Sequence, residues 1–195
     1  MRAGGGSPRA GHVAARLAGP VIDGLSIRPA GPADAGELLT LQRAAYVTEA
    51  RLYGEPHLPP LTETPADLRA AMAAGTLFLA ARRPGSGRII GAGRARVDGD
   101  TCHIGRLAVA PDAQGRGVGT ALIAELERRH AGTVRAFALF TGHLSEANLR
   151  LYHRLGYAEA GRRPLTGGVI EVHLTKSATG RPIHGQGPPP ARTMT

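Results

Sequence analysis

Leu25-Ser-Ile-Arg-Pro29 alternates apolar and polar side chains, the two-residue period of a strand. Gly31-Pro-Ala-Asp34 then opens a helix, with Pro32 suited to the first turn and Asp34 near its positive end. Ala35, Leu38, Leu39 and Leu41 recur at helical spacing as far as Ala45, and Val47–Tyr53 reads as a second helical stretch. Residues 54–63 hold Pro56, Pro59 and Pro60 and read as a loop. Thr64-Pro-Ala-Asp67 is a strong helix start: a cap, a proline at the first position and an acid in the first turn. That helix stops near Gly75. Strands follow over 76–81 and 88–97, with Arg94 and Arg96 on one face. The turn Asp98-Gly-Asp100 makes a hairpin with a strand over 101–109. Val118, Leu122, Ile123 and Leu126 form the apolar stripe of the next helix, which ends near His130. Val134–Phe140 is a strand, Ser145 caps a helix that stops at Gly156, and Tyr157–Ala160 begins another strand. Residues 161–168 are rich in turn formers, and 169–174 form the last strand.

This order, one strand, two to three helices, three strands, helix, strand, helix and two strands, predicts a mixed α/β fold around one mostly antiparallel sheet. The periodicity is confined to one domain over 23–175. Residues 1–22 read as a flexible leader and 176–195 as a disordered Gly/Pro-rich tail.

Composition narrows the function classes. At 195 residues and 42% hydrophobic, the chain suits one domain with a sizeable core. No apolar run approaches a membrane span and no signal peptide is evident, so the expected location is cytoplasmic. The single cysteine, Cys102, reads as a small buried strand residue. No cysteine pair or histidine spacing suggests a metal. The net charge of +9 invites a nucleic-acid reading. Residues 25–175, however, hold 18 arginines against 14 acids, so more than half of the excess lies in the tails. Aromatic residues for base stacking are scarce, and neither nucleic acid nor membrane is the expected partner.

The chemistry concentrates at 104–129. The apolar run Leu107-Ala108-Val109 ends at Pro111, and Gln114-Gly115-Arg116-Gly117-Val118-Gly119-Thr120 leads into a helix. Glycines without Cβ atoms let an anion approach the backbone, the first amides of the helix point at it, and Arg116 adds charge. The same glycines would serve a plain turn, and the loop alone leaves that open. It is not a P-loop, since no Gly-Lys-Ser/Thr follows, and Gly115-x-Gly117-x-Gly119 lacks the spacing of a dinucleotide fingerprint. No Gly-x-Ser-x-Gly elbow supports a hydrolase.

Gln-x-x-Gly-x-Gly after Leu-Ala-Val-Ala-Pro resembles the acyl-CoA pyrophosphate loop of the GCN5-related N-acetyltransferase (GNAT) family. Ser145-Glu-Ala-Asn-Leu-Arg-Leu-Tyr-His-Arg-Leu-Gly-Tyr157 resembles that family's last core helix and following strand. The resemblance spans roughly Leu25 to Leu174. It implies a GNAT-like sheet in which the strands at 104–109 and 134–140 begin parallel and splay apart, leaving a wedge for the pantetheine arm of acetyl-CoA.

By that resemblance the chain transfers an acetyl group to a primary amine on a small molecule or a peptide. The alternative is a non-catalytic acyl-CoA-binding or sensing module of the same fold. The pyrophosphate falls to Gln114, Gly115, Arg116, Gly117, Val118, Gly119 and Thr120, and the pantetheine to Leu107, Ala108 and Val109. An amide near Val109 faces the thioester carbonyl. Tyr152 stands where the family's candidate acid does, Asn148 shares its helix face, and Arg154 can reach the ribose phosphate. Tyr46, Glu49, Tyr53, Glu55 and His57 are candidates on the acceptor side, as are His103 and His143. Where many relatives have a glutamate, the strand reads His103-Ile-Gly-Arg106, so the general base stays open among these acids and histidines. Family members often pair, so a homodimer falls within the expectation.

Overall fold

In the computed structural model, residues 24–165 and 168–178 are described; the expected leader, and the tail from residue 179, lie outside them. The elements are β1 (Ser26–Pro29), α1 (Ala35–Tyr53), α2 (Pro59–Thr62), α3 (Pro65–Ala73), β2 (Leu77–Arg82), β3 (Ile89–Asp98), β4 (Thr101–Val109), α4 (Val118–His130), β5 (Ala136–Gly142), α5 (Glu146–Arg154), β6 (Ala158–Pro164) and β7 (Ile170–Ser177). The strands form one sheet in the order β1-β2-β3-β4-β5-β7-β6. Every neighbouring pair is antiparallel except β4 and β5. This is the mixed, mostly antiparallel sheet that the pattern predicts.

Alternation along β3 and β4 sorts the two faces. Ala92, Arg94, Arg106 and Ala108 share a small crevice with Leu38 and Gln42 of α1. On the other face, Gly91 and Gly93 lie under Val118, Leu122 and Leu126 of α4. The sheet is thus covered on both sides, and Leu79, Ile90, Leu122, Ile123, Leu126 and Leu174 are fully buried. Burying such a side chain is worth about 1.5–3 kcal/mol.

Three local expectations change. The two helical stretches before Tyr53 are one helix, because residues 45–47 contain no glycine or proline to break it. It stops at Gly54, in a left-handed conformation with φ 63°. The proline-rich loop contains a helical turn, α2, with Pro59 and Pro60 pre-set for its start. α1 holds that turn in place: Gln42 Nε2 donates to Pro60 O at 2.8 Å, and Arg43 Nη2 to Glu63 O at 3.1 Å. Finally, β6 runs on to Pro164, and β7 to Ser177, beyond the expected strand ends. The Thr64 start of α3 is as read, with reciprocal bonds between Thr64 and Asp67.

Candidate active site

The loop before α4 carries a row of donors. Gly115 and Gly117 adopt φ of 72° and 76°, a region that side chains with a Cβ disfavour. Gly117 sits at the N-cap of α4, and no side chain caps the helix. The first amide of the segment to find a backbone acceptor is that of Ala121, on Gly117 O. The amides from Gln114 to Thr120 have no acceptor among the described residues, so free donors stand at the positive end of the helix dipole. Arg116 is exposed beside them. Asp112, the nearby acid, is neutralised by Arg88 and Arg83 at 2.6 and 2.9 Å. The loop therefore has the donor geometry and charge that a diphosphate needs.

Next to it the sheet opens. β4 and β5 pair only at Thr101–Ala136, Cys102–Phe137 and His103–Ala138, although β4 continues to Val109 and β5 to Gly142. A bulge in β4 accompanies the parting. Ala92 faces Ala108 and Arg94 faces Gly105, so Gly93 is opposed by both Arg106 and Leu107. Arg106 is the only non-glycine residue described with a positive φ, 50°. Beyond the bulge, Ala110 N donates to Ile90 O at 2.9 Å. Antiparallel ladders alternate, so the N–H and C=O of Val109 point the other way, into the opening. Gln114 Nε2 takes that carbonyl at 3.2 Å, and the Val109 N–H stays available to a ligand.

Tyr152 lies on α5, one turn from Asn148. Its ring is buried and meets Tyr157 edge-on at 6.2 Å. Its hydroxyl bonds to no described residue and is not sealed from solvent. Burial, with Tyr46 and Glu49 nearby, pushes its pKa well above that of a free phenol. Burial likewise raises Tyr46, with Glu49 and Glu63 reinforcing and Arg106 and Arg94 opposing. Both phenols are thus held as hydrogen-bond donors at neutral pH.

Glu49 sits between α1 and α5. Ser145 Oγ donates to its Oε2 at 2.5 Å and Asn148 Nδ2 to its Oε1 at 3.3 Å. Asn148 also reaches Thr141 Oγ1 at 3.4 Å. Ser145 was expected to cap α5; its hydroxyl goes to Glu49 instead, and α5 has no side-chain cap. Tyr53 locks the same corner. Its hydroxyl accepts from Leu144 N at 2.7 Å and lies 3.4 Å from Ser145 Oγ. A Cβ on Gly142 would overlap its phenol.

The other candidates scatter. His143 is 5.7 Å from the Tyr53 ring, and its Nδ1 accepts from Ile170 N at 3.1 Å, tying β5 to β7. Glu55 accepts from His57 N at 2.8 Å in a local turn, and His57 is exposed. His103 lies at the last β4–β5 pair, where burial and Arg96, against Asp98, lower its pKa. Leu107 and Val109 lie near Gly119, at the entrance of α4, and Ala108 is buried on the opposite face. Arg154 is exposed at the end of α5. Cys102 is buried as read, and burial with Glu127 nearby raises its thiol to about 11, leaving it inert.

One group escaped the sequence reading. Glu63 accepts from Arg94 Nη2 at 2.7 Å, Arg106 Nη2 at 3.3 Å and Gln42 Nε2 at 2.7 Å. Burial would raise its carboxyl, but Arg106 and Arg94 outweigh this and hold it below the usual range. Among the described residues no group of histidine, cysteine and acidic side chains could hold a metal ion, and no helix is long and apolar enough to cross a membrane.

The family model described as Acetyltransferase (GNAT) family matches residues 44–157, from α1 through the loop and α5 to Tyr157. The chain belongs to this family. Solved structures share the GNAT fold. The protein smu.2055 from Streptococcus mutans is 16% identical with a TM-score of 0.67, covering 78% of this chain and 99% of its own. A phosphinothricin acetyltransferase from Sinorhizobium meliloti, in complex with AcCoA, is 20% identical with a TM-score of 0.64, covering 83% and 94%. The ribosomal-protein-S18-alanine N-acetyltransferase of Escherichia coli is 20% identical with a TM-score of 0.63, covering 79% and 94%. No curated protein sequence matches the chain.

Proposed function

We propose that this GNAT protein transfers the acetyl group of acetyl-CoA directly to a primary amine. The observation that carries the reading is the row of unpaired amides before α4, next to two parallel strands, β4 and β5, that part after three pairs. The amides from Gln114 to Thr120, with Arg116, suit the diphosphate. Leu107 and Val109, near Gly119, suit the pantetheine, and Arg154 the ribose phosphate, while Ala108 turns to the other face. Acetyl-CoA brings an activated thioester; the residues supply position and proton management.

Held side by side, amine and thioester gain most of the rate from proximity. The Val109 N–H lies where it can steady charge on the carbonyl oxygen. Glu49 is the acid whose charge acts on both Tyr46 and Tyr152, and it takes the proton of the incoming amine. The amine nitrogen bonds to the thioester carbon, the carbon–sulfur bond breaks, and Tyr152 gives its proton to the departing sulfur. Tyr53, Ser145 and Asn148 hold Glu49 in place. His103, His143, Glu55 and His57 have no step in this scheme. A carboxylate held by Ser145 and Asn148 close to two phenols favours catalysis over a sensing module. A cytoplasmic location and a homodimer remain part of the proposal.

The neighbours named above act on a small molecule in one case and a protein alanine in another, so the fold leaves the acceptor class open. The test is calorimetry with acetyl-CoA, followed by thiol release over a panel of amines. Binding with turnover of an amine is expected. No interaction with coenzyme A or its acetyl ester at millimolar concentration overturns the proposal.

A further inference from the structure

Two guanidinium groups share one carboxylate oxygen on the α1 face of β3 and β4. Arg94 Nη2 donates to Glu63 Oε1 at 2.7 Å, and Arg106 Nε and Nη2 reach the same oxygen at 3.4 and 3.3 Å. The second oxygen of Glu63 is taken by Gln42. Among the described residues no other acid pairs with either arginine. Arginine keeps its proton, so the cluster holds one positive charge in excess. The two side chains are only 13% and 16% exposed. A surplus charge at that depth is costly unless an anion comes to it.

The two arginines differ in freedom. Arg94 lies over the Phe78 ring at 5.6 Å and makes the shorter bond, which fixes it. Arg106 makes longer bonds, and its Nη1 bonds to no described residue. It also stands on the bulge, at the parting of the strands, where the backbone holds a left-handed φ that a side chain disfavours. Gln42, Tyr46 and Glu49 recur at i, i+4 and i+7 on one face of α1, and Gln42 bonds to Glu63, so the arginine cluster and the Glu49 carboxylate share that face with Tyr46 between them.

Resting on the transferase reading above, we infer that Arg106, backed by Arg94, is a carboxylate subsite, so that the reacting pair carries an acid group close to the amine. The simplest such acceptor is an α-amino acid or a close analogue, its amine at Glu49 and its carboxylate on Arg106 through a charge-assisted hydrogen bond. The same subsite would take a carboxylate at the far end of a dicarboxylic acyl group. A peptide N-terminus carries an amide where the acid would be, and a polyamine carries a further cation.

The experiment compares L-amino acids, their carboxamides, and spermidine as acceptors with acetyl-CoA, and repeats the carboxamide arm with succinyl-CoA. Thiol release gives KM and kcat, and calorimetry gives acetyl-CoA affinity. Arg106→Gln leaves Glu63 paired to Arg94, and Arg106→Lys keeps the charge. The expected result is a lower KM for the acids than for their carboxamides. Arg106→Gln removes that preference by raising KM for the acids about 10- to 100-fold, and Arg106→Lys restores part of it. A preference for succinyl-CoA that depends on Arg106 supports the subsite and places the acid on the acyl group. Turnover of carboxamides or spermidine at least as good as that of the acids, with acetyl-CoA only, overturns the subsite and leaves the transferase standing. Acetyl-CoA binding without turnover of any acid overturns it as well. Failure to bind acetyl-CoA at all removes the underlying function instead.

Discussion

Ser145 and Glu49 stand 96 positions apart in the chain, and the serine hydroxyl donates to the carboxylate at 2.5 Å. That bond joins α1 to the start of α5. The acid at the centre of the proposed chemistry is therefore held by a second element, and its neighbours can be tested one at a time.

Replacing Glu49 by Gln keeps the size and much of the hydrogen bonding and removes the proton acceptor. Turnover at saturating acceptor should fall about 100-fold near neutral pH, within the usual range for a general base. The gap should close as the pH rises and the amine arrives already neutral. A pH series of kcat for the two proteins checks this; a constant ratio at every pH would show that Glu49 only positions the acceptor.

Tyr152→Phe deletes a hydroxyl that bonds to no described residue, so thermal stability should change by less than about 0.5 kcal/mol. The rate should drop about 10- to 100-fold with little change in the acetyl-CoA KM, because the lost bond forms only as sulfur departs. Steady-state kinetics and a melting curve separate these effects. A large loss of stability with an unchanged rate would make Tyr152 a packing residue.

Gly142 has no room for a side chain, since its Cβ would fall on the Tyr53 phenol. Gly142→Ala should cost about 1–3 kcal/mol through overpacking. Tyr53→Leu added to it should recover part of that loss, and a double-mutant cycle measures the coupling. Activity should stay low in both variants, because Tyr53 braces Leu144 and Ser145 beside Glu49.

Glu63 gives an acid-stability signature. Its folded pKa lies below the unfolded value, so its contribution to stability is complete above the ordinary carboxylate range and is lost as the pH falls through the folded pKa. Glu63→Gln should be less stable than the parent at pH 7 by about 3–5 kcal/mol, the scale for stranding buried charges. The two proteins should converge as the pH drops below about 4. Urea melts at several pH values check both the sign and the window.

The sequence foretold what local chemistry determines. Thr64, Pro65 and Asp67 start a helix through short-range bonds, Gly99 turns a hairpin, and Gly115 and Gly117 bend the loop before α4. All of these are readable within a few residues. What stayed hidden depends on partners brought together by folding. Glu63 meets Arg94 and Arg106 from 31 and 43 positions away, so no local pattern announces the cluster. Ser145 misled for the same reason: its cap position is local, but its bond to Glu49 is not. The bulge at Arg106 left no mark either, because its residue lacks the glycine that usually signals such a turn.

Where β4 and β5 part, each strand carries polar backbone groups that no neighbouring strand satisfies, an exposed border placed in the middle of the sheet rather than at its rim. Such a border invites pairing with foreign chains unless something lies along it. A bound pantetheine would fill that role as a substitute strand. Ligand should therefore protect these amides from hydrogen exchange, and suppress aggregation on heating, even in variants that have lost all turnover.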